Sequence, residues 1–304
     1  MVNVRLIDDL TECRHIWEKI WPVENVFDLW DVRACFLKSY NRPFCFIVAE
    51  ENDKVCGLLA LSWVDEVNRF CHFPGEIWKG KTWLEQNKII STSLYVTEKL
   101  IDNIPGPAHV RYLIGNNAHI EKSLLQEDEV GYLFHPEQYQ FSFQNYYQSF
   151  PGKKRKKLTR ELSKLEEMGI SYSYDDSNTY TEHLFQMNME RYGDYSYFQD
   201  NRFLNAFKNL IELLKNNGWL RVTTVLIGGE IAAIDVGAVL ENHYTVLAGG
   251  TNSLFPGVAK LINFHHLKYA CEKHFEQVDF LCGDFGWKER FLLTPRPLYE
   301  FIKS

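Results

Sequence analysis

The chain has no apolar run near the ~18 residues that cross a bilayer. Its opening residues, MVNVRLIDDLTEC, carry Asp8 and Asp9 and no apolar stretch of signal-peptide length. No transmembrane segment is expected, and the sequence reads as soluble and cytoplasmic. It has no CxxC pair, and its seven cysteines, Cys13, Cys35, Cys45, Cys56, Cys71, Cys271 and Cys282, are odd in number. Neither a disulfide framework nor a zinc site is suggested, so no metal is expected. It has no low-complexity segment and no Pro/Ser-rich linker, so its parts should pack against one another. Nor has it a basic excess: the net charge of −7 argues against a surface wrapped broadly on nucleic acid.

What is present fits a globular protein of two domains. The length of 304 residues is about twice the usual domain size of roughly 150. An early helix should run from Thr11 to Ile20 and stop before Pro22. Phe44 to Val64 reads as strand, Asn52-Asp53 turn, strand. The device recurs as a meander: Arg221 to Ile227, a Gly228-Gly229 turn, Ile231 to Leu240, a Glu241-Asn242 turn, then His243 to Ala248. The repeated hairpin suggests a duplicated fold, each hairpin central in its own mixed sheet flanked by helices. The boundary is expected at Pro151-Gly152, giving domains 1–150 and 151–304.

A basic helix follows that boundary. Lys153, Lys154, Arg155, Lys156, Lys157, Arg160 and Lys164 are offset within their span only by Glu161, a local net of 7 − 1 = +6. Leu158, Leu162 and Leu165 recur at helical spacing and face inward. The outer stripe, Lys153, Lys157, Arg160 and Lys164, is a solvated face or an anion site. Arg155 falls on the inward side, where it should meet a carboxylate or an anionic ligand.

From Tyr244 to Phe291 the sequence reads strand, Gly249-Gly250, the loop TNSLF, Pro256-Gly257, the helix VAKLINFHHLKYACEKHF, then DFLCGDFGWKERF. The free N–H groups at a helix start attract anions. Pro suits the first helical position, and Gly lets a ligand approach the backbone. Gly249, Gly250, Pro256, Gly257, Val258, Ala259 and Lys260 are therefore candidates for holding a donor. His265 and His266 read as ordinary helix residues, and Cys282 as a structural cysteine. Another unusual stretch, FPGEIWKGKTWLEQN from Phe73 to Asn87, gathers Trp78, Trp83 and Glu85. It reads as an acceptor-side wall or a structural aromatic cluster.

The order KKRKKLTR, Gly-Gly meander, LFPGVAKL, DFLCGDFGWKERF resembles the GNAT-related acyltransferases of the Fem peptidyltransferase and CelD-like type over Pro151 to Phe291. That resemblance implies an α+β chain of two tandem GNAT-like domains, the first degenerate. It implies transfer of an acyl group from acyl-CoA to an amine, with acyl-CoA as co-substrate. Aminoacyl-tRNA is the alternative donor, and a non-catalytic ligand-binding protein on the same fold is a third reading. Cell-envelope sugars or peptides would be acceptors, and a lipid-linked acceptor would bring the protein to a membrane surface. The resemblance places Lys288, after Trp287, at the cleft, as the group stabilising the oxyanion. Asp284 would be a base or the lysine's partner, with Arg155, Tyr244, Trp287, Trp78 and Glu85 on the substrate side. Ordinary GNAT loops read Q/R-x-x-G-x-G/A. Leu254 to Lys260 departs from this with one glycine and a proline, leaving fewer amides for a pyrophosphate.

Overall fold

The computed structural model describes residues 1–115, 119–283 and 286–304. The first half contains β1 (Asn3–Ile7), α1 (Leu10–Ile20), α2 (Trp30–Tyr40), β2 (Phe44–Glu51), β3 (Lys54–Val64), β4 (Arg69–His72), β5 (Ile90–Ser91), α3 (Leu94–Asp102), β6 (Ala108–Ile114), β7 (Gln126–Phe134) and α4 (Phe143–Ser149). The second contains α5 (Gly152–Glu166), β8 (Ile170–Ser173), α6 (Asn178–Tyr192), α7 (Asn201–Asn216), β9 (Leu220–Ile227), β10 (Glu230–Leu240), β11 (His243–Thr251), α8 (Val258–Lys273), β12 (Gln277–Asp279) and β13 (Thr294–Lys303).

Local signals set most of these elements. Asp9 caps α1 by accepting from the Glu12 amide at 2.8 Å, which satisfies one of the helix's unpaired donors. Asn52 and Asp53 turn β2 into β3 with φ of 51° and 60°. Gly228 and Gly229 turn β9 into β10 with φ of 60° and 86°, the left-handed backbone that tight hairpins require. Along β10 the side chains alternate. Ile234 and Val236 pack with α6 and α7, while Ala233 joins Leu165 of α5 and Val258 of α8 on the other face.

The sheet order departs from expectation. Instead of two sheets there is one 13-stranded sheet, ordered β1-β2-β3-β4-β6-β13-β7-β12-β11-β10-β9-β8, with β5 beside β3. The order is nonetheless palindromic. Each end is an antiparallel run of four strands. Each run then takes one parallel step, β4 to β6 or β11 to β12. The centre is the antiparallel pair β13–β7, each strand also pairing antiparallel with the neighbouring half. The duplicated architecture is therefore present as two halves of a mixed α+β fold, related by a pseudo-twofold between β13 and β7. They fuse because β13, from the end of the chain, lies beside β6 of the first half. Unpaired edges in mid-molecule would expose open hydrogen-bonding groups, and this exchange removes them. The halves also share a core in which Phe36 of α2 packs with Phe203 of α7.

Among the described residues, no helix is long and apolar enough to cross a membrane.

Candidate active site

The two parallel steps are the weak points of the sheet, and at the second one the strands diverge. β11 pairs with β12 only at His243, Tyr244 and Thr245, yet β11 runs on to Thr251. A bulge places Leu247 outside the register with β10, and a bulge bends and twists its strand. Beyond Thr245 the strands part, and the segment after Asp279 turns away through Leu281, a non-glycine residue at φ 59°. Such backbone persists only where the surroundings over-determine it.

Four segments distant in sequence supply those surroundings. Asp279 ends β12. Its Oδ1 accepts from the Leu281 amide at 2.8 Å, and its Oδ2 accepts from Gln86 Nε2 at 2.7 Å and Arg296 Nη1 at 2.9 Å. Glu85 Oε1 accepts from the Cys282 amide at 2.7 Å. Lys288 Nζ donates to the carbonyls of Leu281 at 2.7 Å and Cys282 at 2.8 Å, and lies 5.4 Å from the ring centre of Tyr132 on β7. Glu85 and Gln86 arrive on the first half's long connection between β4 and α3. There Glu76 accepts from Thr82 Oγ1 and from the amides of Trp83 at 3.1 Å and Leu84 at 2.9 Å. The Asn87 amide donates to Tyr112 O of β6 at 2.9 Å. The loop is thus fixed at both sides of Glu85.

The electrostatics follow from burial. Glu85 is 3% exposed, and burial, reinforced by the charge of Asp279, pushes its carboxyl up to about 7 against the pull of the Cys282 contacts and Arg296. Burial lowers the Lys288 ammonium, opposed by Glu85, Cys282, Asp279 and Glu129. Burial raises the Cys282 thiol, as does Glu85 beside it, which leaves a poor nucleophile. Burial opposes the Arg296 charge, but Asp279 and Glu85 outweigh it, so that guanidinium stays charged. Glu85 Oε2 is buried and accepts no hydrogen bond, and Arg296 Nε and Nη2 are buried and donate none. Glu85 Oε2 and Arg296 Nη2 are 3.9 Å apart. A carboxylate with a neutral-range pKa and a free oxygen can take a proton from an incoming ammonium.

Of the sequence-predicted residues, Glu85 and Lys288 meet here. Asp284 lies outside the described residues. Trp287 packs edge-on against Phe280 and Phe291 at 5.6 and 5.3 Å. Trp78 lies on the same loop as Glu85, 6.4 Å from Tyr197 and under Lys79 at 4.7 Å. Tyr244 is fully buried. Its hydroxyl meets His266 Nδ1 at 3.1 Å, and His266 Nε2 meets Asp235 at 2.8 Å, a chain inside the core against α8. Arg155 lines one of the hollows along α5 and donates to the carbonyls of Gln148 at 2.6 Å and Phe150 at 2.7 Å. These lie at the C-terminal end of α4, whose open carbonyls attract a cation.

The donor-side glycines have close neighbours. A Cβ on Gly249 would stand 2.3 Å from Asp235 Oδ1, and one on Gly250 would stand 3.0 Å from Leu184 O of α6. Pro256 precedes Gly257, the cap of α8 at φ 98°. Val258 is buried and its amide donates to Phe255 O at 3.1 Å, while Ala259 is exposed and the Lys260 amide donates to Gly257 O at 2.9 Å. Lys260 Nζ pairs with Glu161 of α5 at 2.5 Å, so part of its charge is already compensated. Sequence reasoning missed Asp279, Gln86 and Arg296 as site members. Asp279 was visible only as the first residue of DFLCGDF, and Arg296 only as an arginine between two prolines.

Two open hollows of about 780 and 660 Å³ lie along α5, lined by Lys153, Lys154, Lys156, Lys157 and Arg160 among others. They are separate from the Glu85 cluster. Lys154 Nζ reaches the Arg290 carbonyl, two residues beyond Lys288, while Glu161 reaches Lys260. The helix thus spans from the start of α8 to the Lys288 segment.

Residues 152–289 match the family model described as Acetyltransferase (GNAT) domain. No curated protein matches by sequence. Among solved structures, FemX is similar with a TM-score of 0.61 at 11% identity, covering 98% of this chain and 97% of that one. L-PGS from Bacillus licheniformis is similar with a TM-score of 0.59 at 12% identity, covering 97% and 92%. A tandem GNAT protein from the clavulanic acid biosynthesis pathway has a TM-score of 0.53 at 8% identity, covering 99% and 98%. At such identities the likeness is one of fold.

Proposed function

We propose that this chain, whose residues 152–289 match the GNAT-domain model, is an N-acyltransferase that moves an acyl group from acyl-CoA to an acceptor amine, with Glu85 as general base. The observation that supports this best is the buried Glu85 carboxylate, raised to about 7 with one oxygen that accepts no hydrogen bond, beside the parting of β11 and β12. Glu85 Oε2 takes a proton from the acceptor ammonium. The free amine attacks the thioester carbonyl, the carbon–sulfur bond breaks as the amide bond forms, and the thiolate leaves with the proton released at nitrogen. The edge of β11 beyond Thr245 offers backbone groups to the donor and to the developing oxyanion, where each well-placed donor contributes about 3–4 kcal/mol. Lys288 acts as a positioning residue in this reading. Its two bonds hold the Leu281–Cys282 turn and so aim the Cys282 amide at Glu85. The loop from Asn252 to Lys260 at the head of α8 receives the donor's phosphates.

A second donor, aminoacyl-tRNA, is favoured by the cationic hollows along α5, since a polyanion would fit that face. Thermal shift separates the two. Acetyl-CoA at a hundred times its dissociation constant should stabilise the protein by about 2.7 kcal/mol. No response to any acyl-CoA, with salt-sensitive binding of tRNA that is lost when Lys156, Lys157 and Arg160 become glutamate, would replace the CoA donor by tRNA. No response to either class would leave the acyltransferase reading without support.

A further inference from the structure

The buried polar atoms at the seam that make no hydrogen bond are of both signs, and two of them, Glu85 Oε2 and Arg296 Nη2, stand as a loose ion pair 3.9 Å apart. Glu85 presents one carboxylate oxygen, its other being held by the Cys282 amide. Arg296 presents Nε and Nη2, its Nη1 being held by Asp279. The Glu85 side chain is 4% exposed and that of Arg296 17%, so water does little to screen them. At 3.9 Å the ion pair makes no hydrogen bond, and a buried polar atom without one costs about 1–3 kcal/mol. The guanidinium is also seated for a purpose. It lies over Gly131 of β7, where a Cβ would stand 2.9 Å from Nη2, so the strand leaves room for the fork at the register position opposite Arg296.

We propose that this pair recognises an acceptor carrying a carboxylate beside its amine, that is, a free α-amino acid or the equivalent end of a larger molecule. The inference rests on the acyltransferase reading for the reaction but not for the binding. The acceptor's ammonium goes to Glu85 Oε2, the oxygen that deprotonates it. Its carboxylate goes to Nε and Nη2 of Arg296, a planar fork that matches a carboxylate with two parallel bonds. Charge balance argues the same way. Glu85 and Asp279 against Arg296 and Lys288 sum to zero in a water-poor seam. A simple amine or a simple carboxylic acid would add one uncompensated buried charge, which is costly. A zwitterion adds none. An amine without a carboxylate would also leave the guanidinium fork unmatched, and a missing hydrogen-bonding partner discriminates more strongly than a missing methylene.

The test is binding and turnover with three matched sets: the standard L-amino acids, their C-terminal amides and their N-acetyl forms, each with and without acetyl-CoA. At least one free amino acid should bind about 10-fold or more tighter than both its amide and its N-acetyl form, by calorimetry. In Arg296→Lys that preference should collapse toward unity. Because the preference is a ratio within one variant, a partly unfolded sample does not mimic it. Amides that bind as well as free amino acids, or a preference that survives Arg296→Lys, would overturn the inference. So would acylation of simple amines with no response to amino acids, although the acyltransferase reading would then stand. Selective amino-acid binding without acyl transfer from any donor would uphold this inference and sink that reading.

Discussion

The two halves of this molecule repeat one strand order and then spend the same position differently. In the second half β11 passes to α8 through the short loop that ends at Gly257. In the first half β4 reaches α3 only after the long stretch that contains β5 and carries Glu76, Glu85, Gln86 and Asn87. That stretch leaves its own half and seals the other's cleft. Two buried carboxylates, both supplied by the first half, show a parallel contrast: one stays within that half and one reaches the other. Asp28 is 1% exposed and accepts four bonds, from Trp21 Nε1, Lys88 Nζ and the amides of Glu24 and Asn25. Glu85, 3% exposed, is held among the described residues only by Cys282, through its amide and its side chain, and keeps Oε2 without a hydrogen bond. Burial with both oxygens engaged suits a structural anchor; in the proposed reading, burial with one oxygen short of a hydrogen bond suits a base.

The sharpest way to break that contrast is to neutralise each carboxylate. Glu85→Gln should fold and lose turnover by on the order of 10²–10⁴, the usual worth of a positioned base. Asp28→Asn should instead destabilise the fold by about 1–3 kcal/mol, because it breaks the buried ion pair with Lys88 and leaves that lysine Glu24 at 3.0 Å, with turnover per folded molecule near normal. Denaturant titration and steady-state kinetics on both variants read the two effects. Equal losses of activity would erase the distinction.

Lys288 sharpens the comparison next. Sequence reasoning expects a cleft lysine that contributes little to the fold. The structure makes it 3% exposed and bonded to two carbonyls. Lys288→Ala should therefore cost about 1–3 kcal/mol of stability by stranding those carbonyls, and turnover should fall because the Cys282 amide is no longer aimed at Glu85. Lys288→Arg should recover stability only in part. A variant with full stability and lost turnover would restore the oxyanion role.

A smaller effect concerns pH. The folded-state pKa of Glu85, about 7, lies above its ordinary 4.5. Its contribution to stability is therefore present below the ordinary value and lost as pH rises through about 7. Glu85→Gln should then raise the melting temperature at pH 8 relative to the parent and leave it nearly unchanged at pH 5. The opposite order would mean that the carboxylate is stabilised in its charged form.

The smallest expected change is Gly131→Ala. The added Cβ crowds Arg296 Nη2 but not Glu85, so acceptor KM should rise several-fold with kcat nearly constant. A fall in kcat alone would place Gly131 elsewhere in the mechanism.

How much of this was legible beforehand follows from range. The Asn52-Asp53 hairpin, the Gly-Gly meander, the helix after Pro151 and the helix after Gly257 rest on local spacing and turn chemistry, and the structure has them all. The fusion of the halves rests on β13 pairing with β6, strands far apart in sequence with no local mark of their meeting. Glu85, Asp279 and Arg296 were each visible as residues, but their convergence depends on that same exchange. For Arg155, periodicity places the side chain without saying what meets it, and the carbonyls that end α4 were not legible as its partners.

The central claim is that the second half's cleft takes its base from the first half's loop. The most direct test is the pH dependence of kcat/KM for acyl transfer from acetyl-CoA to the acceptor that gives turnover, in the parent and in Glu85→Gln. The expected result is an acidic limb with a midpoint near 7, the pKa to which burial raises Glu85, falling tenfold per pH unit below it and absent from the variant. The same limb at the same midpoint in Glu85→Gln would contradict the account, since the titrating base would then be another group.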